Sequence, residues 1–266
     1  MGALGRVDAI WRYPVKSMQG EQVDSVFVGF GGVMGDRVYG MINGKGEKGF
    51  PWFTARDDEP FLLYKPRFKN SSPTQPQNLP AVEAIAPGIH ALFPEAEAFA
   101  VSVTTPEGEI FDVDSDAFAE HMSKRFEVPI RAHLSSGKSQ VDCRPVSLFS
   151  ENTARQLTEE IGKPIDVRRF RPNFVVTWYD TDGTKAFFEN ELVGKQLSIG
   201  DKVEFTPLER DPRCKMVTLD PDTAEGTPKI LKHISTQHEG YAGVYGAVLK
   251  EGMISVGDEI SLVAHA

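Results

Sequence analysis

The sequence is poor in cysteine, in histidine and in long apolar runs, and each shortage excludes something. Two cysteines in 266 residues cannot build a disulfide framework. No apolar run is long enough to cross a bilayer as a helix. The opening Met1-Gly2-Ala3-Leu4-Gly5-Arg6 lacks the apolar core of a signal peptide, and Arg6 stands where a myristoylation motif needs Ser or Thr. A reducing cytoplasm and no membrane partner are the expectation. The six histidines, at 90, 121, 133, 233, 238 and 265, show no metal-ligand spacing. Lys plus Arg number 29 against 38 Asp plus Glu, a net charge of −9, which argues against nucleic acid as a partner. A Gly-x-Ser-x-Gly elbow, a His-Glu-x-x-His pair and a Walker loop are missing, and Gly29-x-Gly31 fails as a dinucleotide fingerprint because position 34 is Met.

The pattern that is present is mostly that of strands. Val7, Ala9 and Trp11 alternate along the first, Val23, Val26 and Val28 more loosely along the next, and Val101-Ser102-Val103-Thr104 repeats the habit. Glycines at 29, 31, 32, 35, 40, 44, 46 and 49 suit the turns and bulges of a β arrangement. Residues 69–80 read as an exposed, poorly ordered loop. Three helices are predicted. Ser115 caps one with Phe118, Met122 and Phe126 inward; Ser150 caps a second with Ala154, Leu157 and Ile161 inward and Gly162 at its end; Thr227-Pro228 opens a third carrying Ile230, Leu231 and Ile234. Strands return at 173–178, 202–205 and 253–256, and the echo of Ser198-Ile-Gly-Asp in Ser255-Val-Gly-Asp is a hairpin-turn signal. The class is α+β, predominantly β with a few short helices. A boundary near 127–140 divides 1–130 from 131–266.

Of the two cysteines, Cys214 stands between Arg213 and Lys215. Adjacent cations favour the thiolate, the form that attacks electrophiles or binds soft metals. A nucleophile, a metal ligand and a buried small hydrophobe are all open readings. Cys143, in Asp142-Cys143-Arg144-Pro145, reads as a packed cysteine. Elsewhere cations sit beside turn residues: Lys16-Ser17 after the first strand, Arg37 after a glycine-rich turn, Arg56 after Phe50-Pro51-Trp52-Phe53, and Arg171 before Pro172-Asn173. Each alone is an ordinary surface charge. Together they could form a basic pocket, in which guanidinium forks bind phosphate or carboxylate and hydroxyls complete the shell.

These residues carry a family resemblance. Tyr13-Pro14-Val15-Lys16-Ser17, Gly35-Asp36-Arg37 and Thr54-Ala55-Arg56 resemble the N-terminal β-barrel domain that accompanies MOSC domains (the molybdenum cofactor sulfurase C-terminal type). Ser150-Glu151, Arg171-Pro172-Asn173, Arg213-Cys214, Asp220-Pro221-Asp222-Thr223 and residues 252–258 resemble the MOSC domain itself. The resemblance spans nearly the whole chain and is nearest to the amidoxime-reducing components. It implies two β-barrel domains, 1–130 and 131–266, and a molybdenum cofactor whose metal is bound by Cys214. Lys16, Ser17, Arg37, Arg56, Ser150, Arg171, Asn173 and Arg213 would surround the pterin. It further implies reduction of N-hydroxylated compounds, with electrons from a separate ferredoxin, cytochrome b5-like protein or flavoprotein reductase. A non-catalytic cofactor carrier and a sulfur-transfer protein using the same cysteine are alternatives. Asp220 and Asp222 are either a proton supply or turn formers.

Overall fold

The computed structural model describes residues 2–47, 50–69, 74–84, 89–135, 140–179 and 185–263. Its centre is a barrel of seven strands: β1 (Gly5–Arg12), β2 (Val146–Ser150), β3 (Phe174–Trp178), β4 (Leu197–Ile199), β5 (Val203–Pro212), β6 (Tyr241–Lys250) and β7 (Glu259–Leu262). The ring runs β3-β2-β6-β5-β4-β7-β1 and closes by pairing of β1 with β3. β2 and β3 are parallel, and the other barrel pairs are antiparallel. Closure removes the open sheet edge. Inside, Val7, Ile10, Leu148, Phe174, Val176, Phe205, Val244 and Ile260 form one apolar cluster.

β1 corrects the simple alternation read from the sequence. Val7 and Ile10 are the buried apolar side chains, not Val7, Ala9 and Trp11. The register with β3 shifts between Val7 and Ala9, so a bulge sends the remainder of the strand out of phase. Gly5 begins β1 because its backbone presses on β3, where a Cβ would lie 2.4 Å from the Thr177 carbonyl oxygen.

The expected division near residue 130 is crossed by strand pairing. β1 belongs to the barrel, and the strand Ser25–Gly29 pairs with Gly252–Ser255 from the other end of the chain. Most of the described residues between 39 and 134 build a second body, although Leu79, Val82, Ala91 and Phe99 pack on the barrel's apolar cluster. In it the strand Tyr39–Glu47 lies between Phe50–Phe53 and Ile130–Leu134, beside a separate sheet of Lys65–Phe68, Val101–Thr104 and Ile110–Asp112. Its core joins Phe53, Phe61, Tyr64, Phe118, Met122 and Phe126, and takes in Leu219 and Ala224 from the distal chain.

The three predicted helices form: α1 (Asp116–Phe126), α2 (Glu151–Ile161) and α3 (Pro228–Gln237). Ser115 accepts from the Phe118 N–H at 3.2 Å and Ser150 from the Thr153 N–H at 3.1 Å, satisfying donors that a first turn leaves orphaned. Gly162 closes α2 with φ +73°. Thr227 makes no such side-chain bond, so Pro228 at the first position is the start signal of α3. Short helical turns at Leu79–Glu83 and Phe188–Glu191 carried no legible signal. Of the expected loop 69–80, residues 70–73 lie outside the described residues. The rest is tied down: Asn78 bonds the His90 carbonyl and the Leu92 N–H, and the Thr74 carbonyl accepts from Phe27 N–H.

Candidate functional site

A cleft lined by segments from both bodies gathers the basic residues. Lys16, Ser17, Arg37, Arg56, Arg171, Asn173, Arg213 and Cys214 all line it. It encloses about 100 Å³; a single water needs about 10–15 Å³ of such space, so a multi-atom anion fits.

The backbone that presents these side chains is unusual. Ser17, Arg37 and Arg171 have φ of 66°, 49° and 52°, in the left-handed region that non-glycine residues seldom occupy. They are three of the seven non-glycine residues so placed among the described residues. Strain of this kind persists where surrounding contacts over-determine it, and it concentrates at functional sites. Here the contacts are reciprocal. Arg37 N–H donates to the Tyr13 carbonyl at 2.6 Å, Tyr13 N–H donates to the Asp36 carboxylate at 2.8 Å, and Lys16 N–H donates to the Tyr39 carbonyl at 2.8 Å. Gly35, with φ +79°, is required two residues before Arg37, because a Cβ would meet the buried Arg12 guanidinium at 2.8 Å.

Tyr13 is the floor under two of the cations. Arg37 and Arg171 both lie over its ring, their Cζ atoms 4.6 and 4.1 Å from the centroid. The phenol donates to the Pro172 carbonyl at 3.2 Å. Burial pushes the Tyr13 hydroxyl up to about 12, although Arg171 and Arg37 pull the other way. Asn173 locks the same corner, accepting from Ser147 N–H at 3.1 Å and donating to the Trp11 carbonyl at 3.3 Å. Its amide is engaged by the framework and acts by holding β1 to β2 and β3.

Most of the cations have partners. Arg37 pairs with Asp36 at 2.5 Å, Arg213 with Asp211, Lys16 with Asp142, and Arg169 with Asp220 at 2.7 Å. Arg171 differs, because no carboxylate pairs with it among the described residues. Burial pulls it down to about 10, which leaves it a full cation at neutral pH, and its Nη2 is buried without a hydrogen-bond partner. Arg169 Nε and Asp211 Oδ1 share that condition. Three buried side-chain atoms without a partner among the described residues therefore belong to residues of this cleft. Buried polar groups are ordinarily satisfied, so these unpaired atoms set the residues of this cleft apart from the rest of the described structure.

Cys214 ends β5's run into the site. It is exposed, precedes a single helical turn, Lys215–Thr218, and its carbonyl accepts from Val217 N–H at 3.1 Å. The Arg213 guanidinium folds back onto the Phe170 carbonyl at 2.9 Å, and Lys215 turns outward to Glu59 at 2.5 Å and the Arg56 carbonyl at 3.3 Å. The two cations that flank the thiol in sequence are thus both engaged elsewhere.

Two expectations are corrected. Ser150 is not in the cleft: it is fully buried, caps α2, and donates to the Glu189 carboxylate at 2.8 Å. Cys143 is not packed: it is exposed, lines the same cleft as Cys214, and donates to Glu209 at 3.2 Å. Partial loss of solvent around the sulfur and the neighbouring Glu209 carboxylate push its thiol up. Asp220 and Asp222 are turn formers. Asp220 accepts from the N–H groups of Asp222 and Thr223 at 3.0 and 3.1 Å and from Arg169, while Asp222 forks with Arg168 at 2.9 and 2.6 Å. Sequence reasoning missed Asp142, Arg169 and Tyr245. Arg169 had a signal, the run Arg168-Arg169-Phe170-Arg171, whereas Tyr245 is one aromatic in a strand and had none. Asp142 is held between Lys16 and Arg56, and these cations outweigh its burial to draw its carboxyl below the usual range.

Residues 4–129 match the MOSC N-terminal beta barrel domain and residues 132–261 the MOSC domain. Mitochondrial amidoxime reducing component 2 of Bos taurus is 26% identical over 97% of this chain and 83% of its own length. A molybdenum cofactor sulfurase of Caenorhabditis briggsae is 27% identical over 48% of this chain and 17% of its own. Among solved structures, the YUAD protein from Bacillus subtilis covers 98% of this chain and 97% of its own at 14% identity and a TM-score of 0.48. With the two matches end to end across the barrel and the second body, the chain belongs to the MOSC-domain family, in the form that carries the MOSC N-terminal beta barrel domain.

Proposed function

We propose that this chain is a molybdenum-cofactor-dependent reductase of N-hydroxylated compounds: amidoximes, hydroxylamines and N-hydroxylated bases. The observation that carries the reading is Arg171, a half-buried cation whose Nη2 is buried and unpartnered, in a cleft that also exposes the Cys214 thiol. The donor set suits the cofactor. A thiolate suits a sulfur-coordinated metal, guanidiniums and the Ser17 hydroxyl suit a phosphate, and the leftover donors and acceptor suit a pterin ring. The similarity to amidoxime reducing components over almost the full chain supports the substrate class.

When bound, the cofactor supplies the two-electron removal of oxygen from nitrogen, with two protons taken up and water released. The chain's own residues bind and orient. Cys214 holds the metal, Arg37, Arg171 and Arg213 take the anionic tail, and Lys16 and Arg56 extend the positive wall. Tyr13 and Asn173 fix the two arginine-bearing segments. Two cysteines, both in the cleft, fall short of the four thiolates of an iron–sulfur cluster, and the proposed reaction takes its electrons from a carrier of the ferredoxin, cytochrome b5-like or flavoprotein class.

The test is molybdenum and pterin content of the purified protein with and without Cys214→Ser, followed by benzamidoxime reduction with an artificial one-electron donor. Stoichiometric metal lost in the variant, with turnover in the wild type, is the expected result. Metal that persists unchanged in the variant overturns the ligand assignment. Bound metal without turnover makes the protein a cofactor carrier, and persulfide on Cys214 without molybdenum makes it a sulfur-transfer protein.

A further inference from the structure

Away from the cleft, the fold assembles a cluster that no sequence spacing announces. Glu160 lies in the last turn of α2, His233 in α3, and His238 just beyond the end of α3. The helices are packed together through Leu157, Ile161, Ile230 and Ile234. The Glu160 Oε2 lies 2.7 Å from Nε2 of His233 and 2.7 Å from Nε2 of His238, and the three atoms fall within 4.8 Å of one another.

The two imidazoles are five residues apart, and the helix ends between them. That is why no one-faced helical repeat betrays the pair. The chain turns back after His238, whose N–H closes on the Ile234 carbonyl at 2.9 Å. The His238 ring is held by stacking on Phe187, centroids 4.2 Å apart. Glu160's other oxygen, Oε1, accepts from Gln156 at 2.8 Å, which orients the carboxylate so that Oε2 alone faces both rings. A hydrogen bond of this kind, from Gln156 to the carboxylate, is the outer support that metal sites use to aim a ligand.

We propose that Glu160, His233 and His238 form a site for a divalent transition metal of the zinc class, with a fourth position open to water. Two imidazole nitrogens and one carboxylate oxygen are a three-ligand set that zinc accepts. At bond lengths of about 2.0–2.1 Å, tetrahedral ligand atoms stand about 3.3 Å apart. The hydrogen-bonded trio reaches that by a modest spreading of partly exposed side chains. The three groups are 18–25% exposed, which leaves a face for solvent. The site would cross-link α2 to α3, and α3 shares its apolar cluster with Val217, in the helical turn that follows Cys214. Zinc would thus brace the back of the cleft without entering it.

The experiment adds zinc chloride to full-length protein stripped with EDTA, reading stoichiometry and affinity by calorimetry and unfolding temperature by scanning fluorimetry. Because Cys143 and Cys214 could themselves capture zinc, the Cys143→Ser/Cys214→Ser double variant is titrated in parallel. One zinc per chain is expected in both proteins, with a raised unfolding temperature. Affinity should fall roughly tenfold or more in His233→Ala, His238→Ala and Glu160→Gln. Cobalt in the wild-type protein should give a spectrum without a thiolate charge-transfer band, a readout independent of whether any variant folds. Zinc that vanishes with the two cysteines, zinc affinity indifferent to His233 and His238, or no zinc uptake at all would each overturn the proposal.

Discussion

The guanidinium of Arg171 lies over the ring of Tyr13 at 4.1 Å and has no carboxylate partner among the described residues. A half-buried cation with a buried, unpartnered Nη2 carries a desolvation cost that a bound anion would offset. Arg171→Met is therefore expected to move stability and ligand binding in different ways. The loss of a cation–π contact, about 0.5–2 kcal/mol, is offset by removal of a desolvated charge. Urea unfolding of cofactor-free protein should stay within about 1 kcal/mol of wild type, while molybdenum and pterin retained on purification should fall about tenfold or more. A large loss of stability with cofactor content unchanged would remove Arg171 from the binding site.

Tyr13 has its own signature in alkali. Its hydroxyl is raised to about 12, so the folded state favours the neutral phenol. The stability this gives is fully present below the ordinary value near 10 and is lost as pH climbs from about 10 to about 12. Over that window it amounts to about 2–3 kcal/mol. Tyr13→Phe should cost about 1 kcal/mol at neutral pH through the lost bond to Pro172. Its stability should fall less steeply than wild type between pH 10 and 12. Tyr39 and Tyr64 are also raised to about 12 and will bend both curves, so the difference between the two proteins is the measurement.

Cys143 should be the sluggish thiol. Partial loss of solvent and the Glu209 carboxylate raise it, and Glu209 also accepts its S–H. In a Cys214→Ser background, alkylation at neutral pH should run slower than for a free thiol, and Glu209→Gln should accelerate it severalfold. An unchanged rate would detach Glu209 from the thiol.

Asp220 and Asp222 divide by role. Asp220→Ala removes the acceptor for two backbone N–H groups and for Arg169, and about 2–3 kcal/mol of stability should go with it. Asp222, paired with Arg168 in solvent, should cost under about 1 kcal/mol as Ala. Turnover per bound molybdenum should survive Asp222→Ala. A drop of about a hundredfold or more would instead mark a proton donor.

Ser150→Ala should lower stability by about 1 kcal/mol through the lost cap of α2 and leave cofactor content unchanged. Loss of cofactor from a protein that remains folded would return this hydroxyl to the site.

What the sequence disclosed was local. Ser115, Ser150 and Gly162 act within four residues of where they stand, so the ends of α1 and α2 could be read directly. Lys16, Arg37, Arg56 and Arg171 could be grouped because turn residues flank each of them. Ser150 misled because one hydroxyl cannot say whether it serves a helix end or a ligand; the answer lay in Glu189, thirty-nine residues away. Cys143 misled for the same reason, since its exposure depends on the 142–147 segment lying against β6 and β5. The bulge after Val7 left no mark in the residue types, and the meeting of Glu160 with His233 and His238 follows from helix packing alone.

The position of β1 has a kinetic consequence. Gly5 pairs with both Trp178 and Ile260, so a strand synthesised early waits for one neighbour until the middle of the chain and for the other until almost its last strand. Until then the Gly5 end of β1 lacks both of those neighbours. Ring closure over such a separation is slow, because its loop entropy is spent before the contacts that offset it can form. The barrel's final stave is its first, and during those moments the nascent protein is most exposed to pairing with a neighbour's β1 instead of its own.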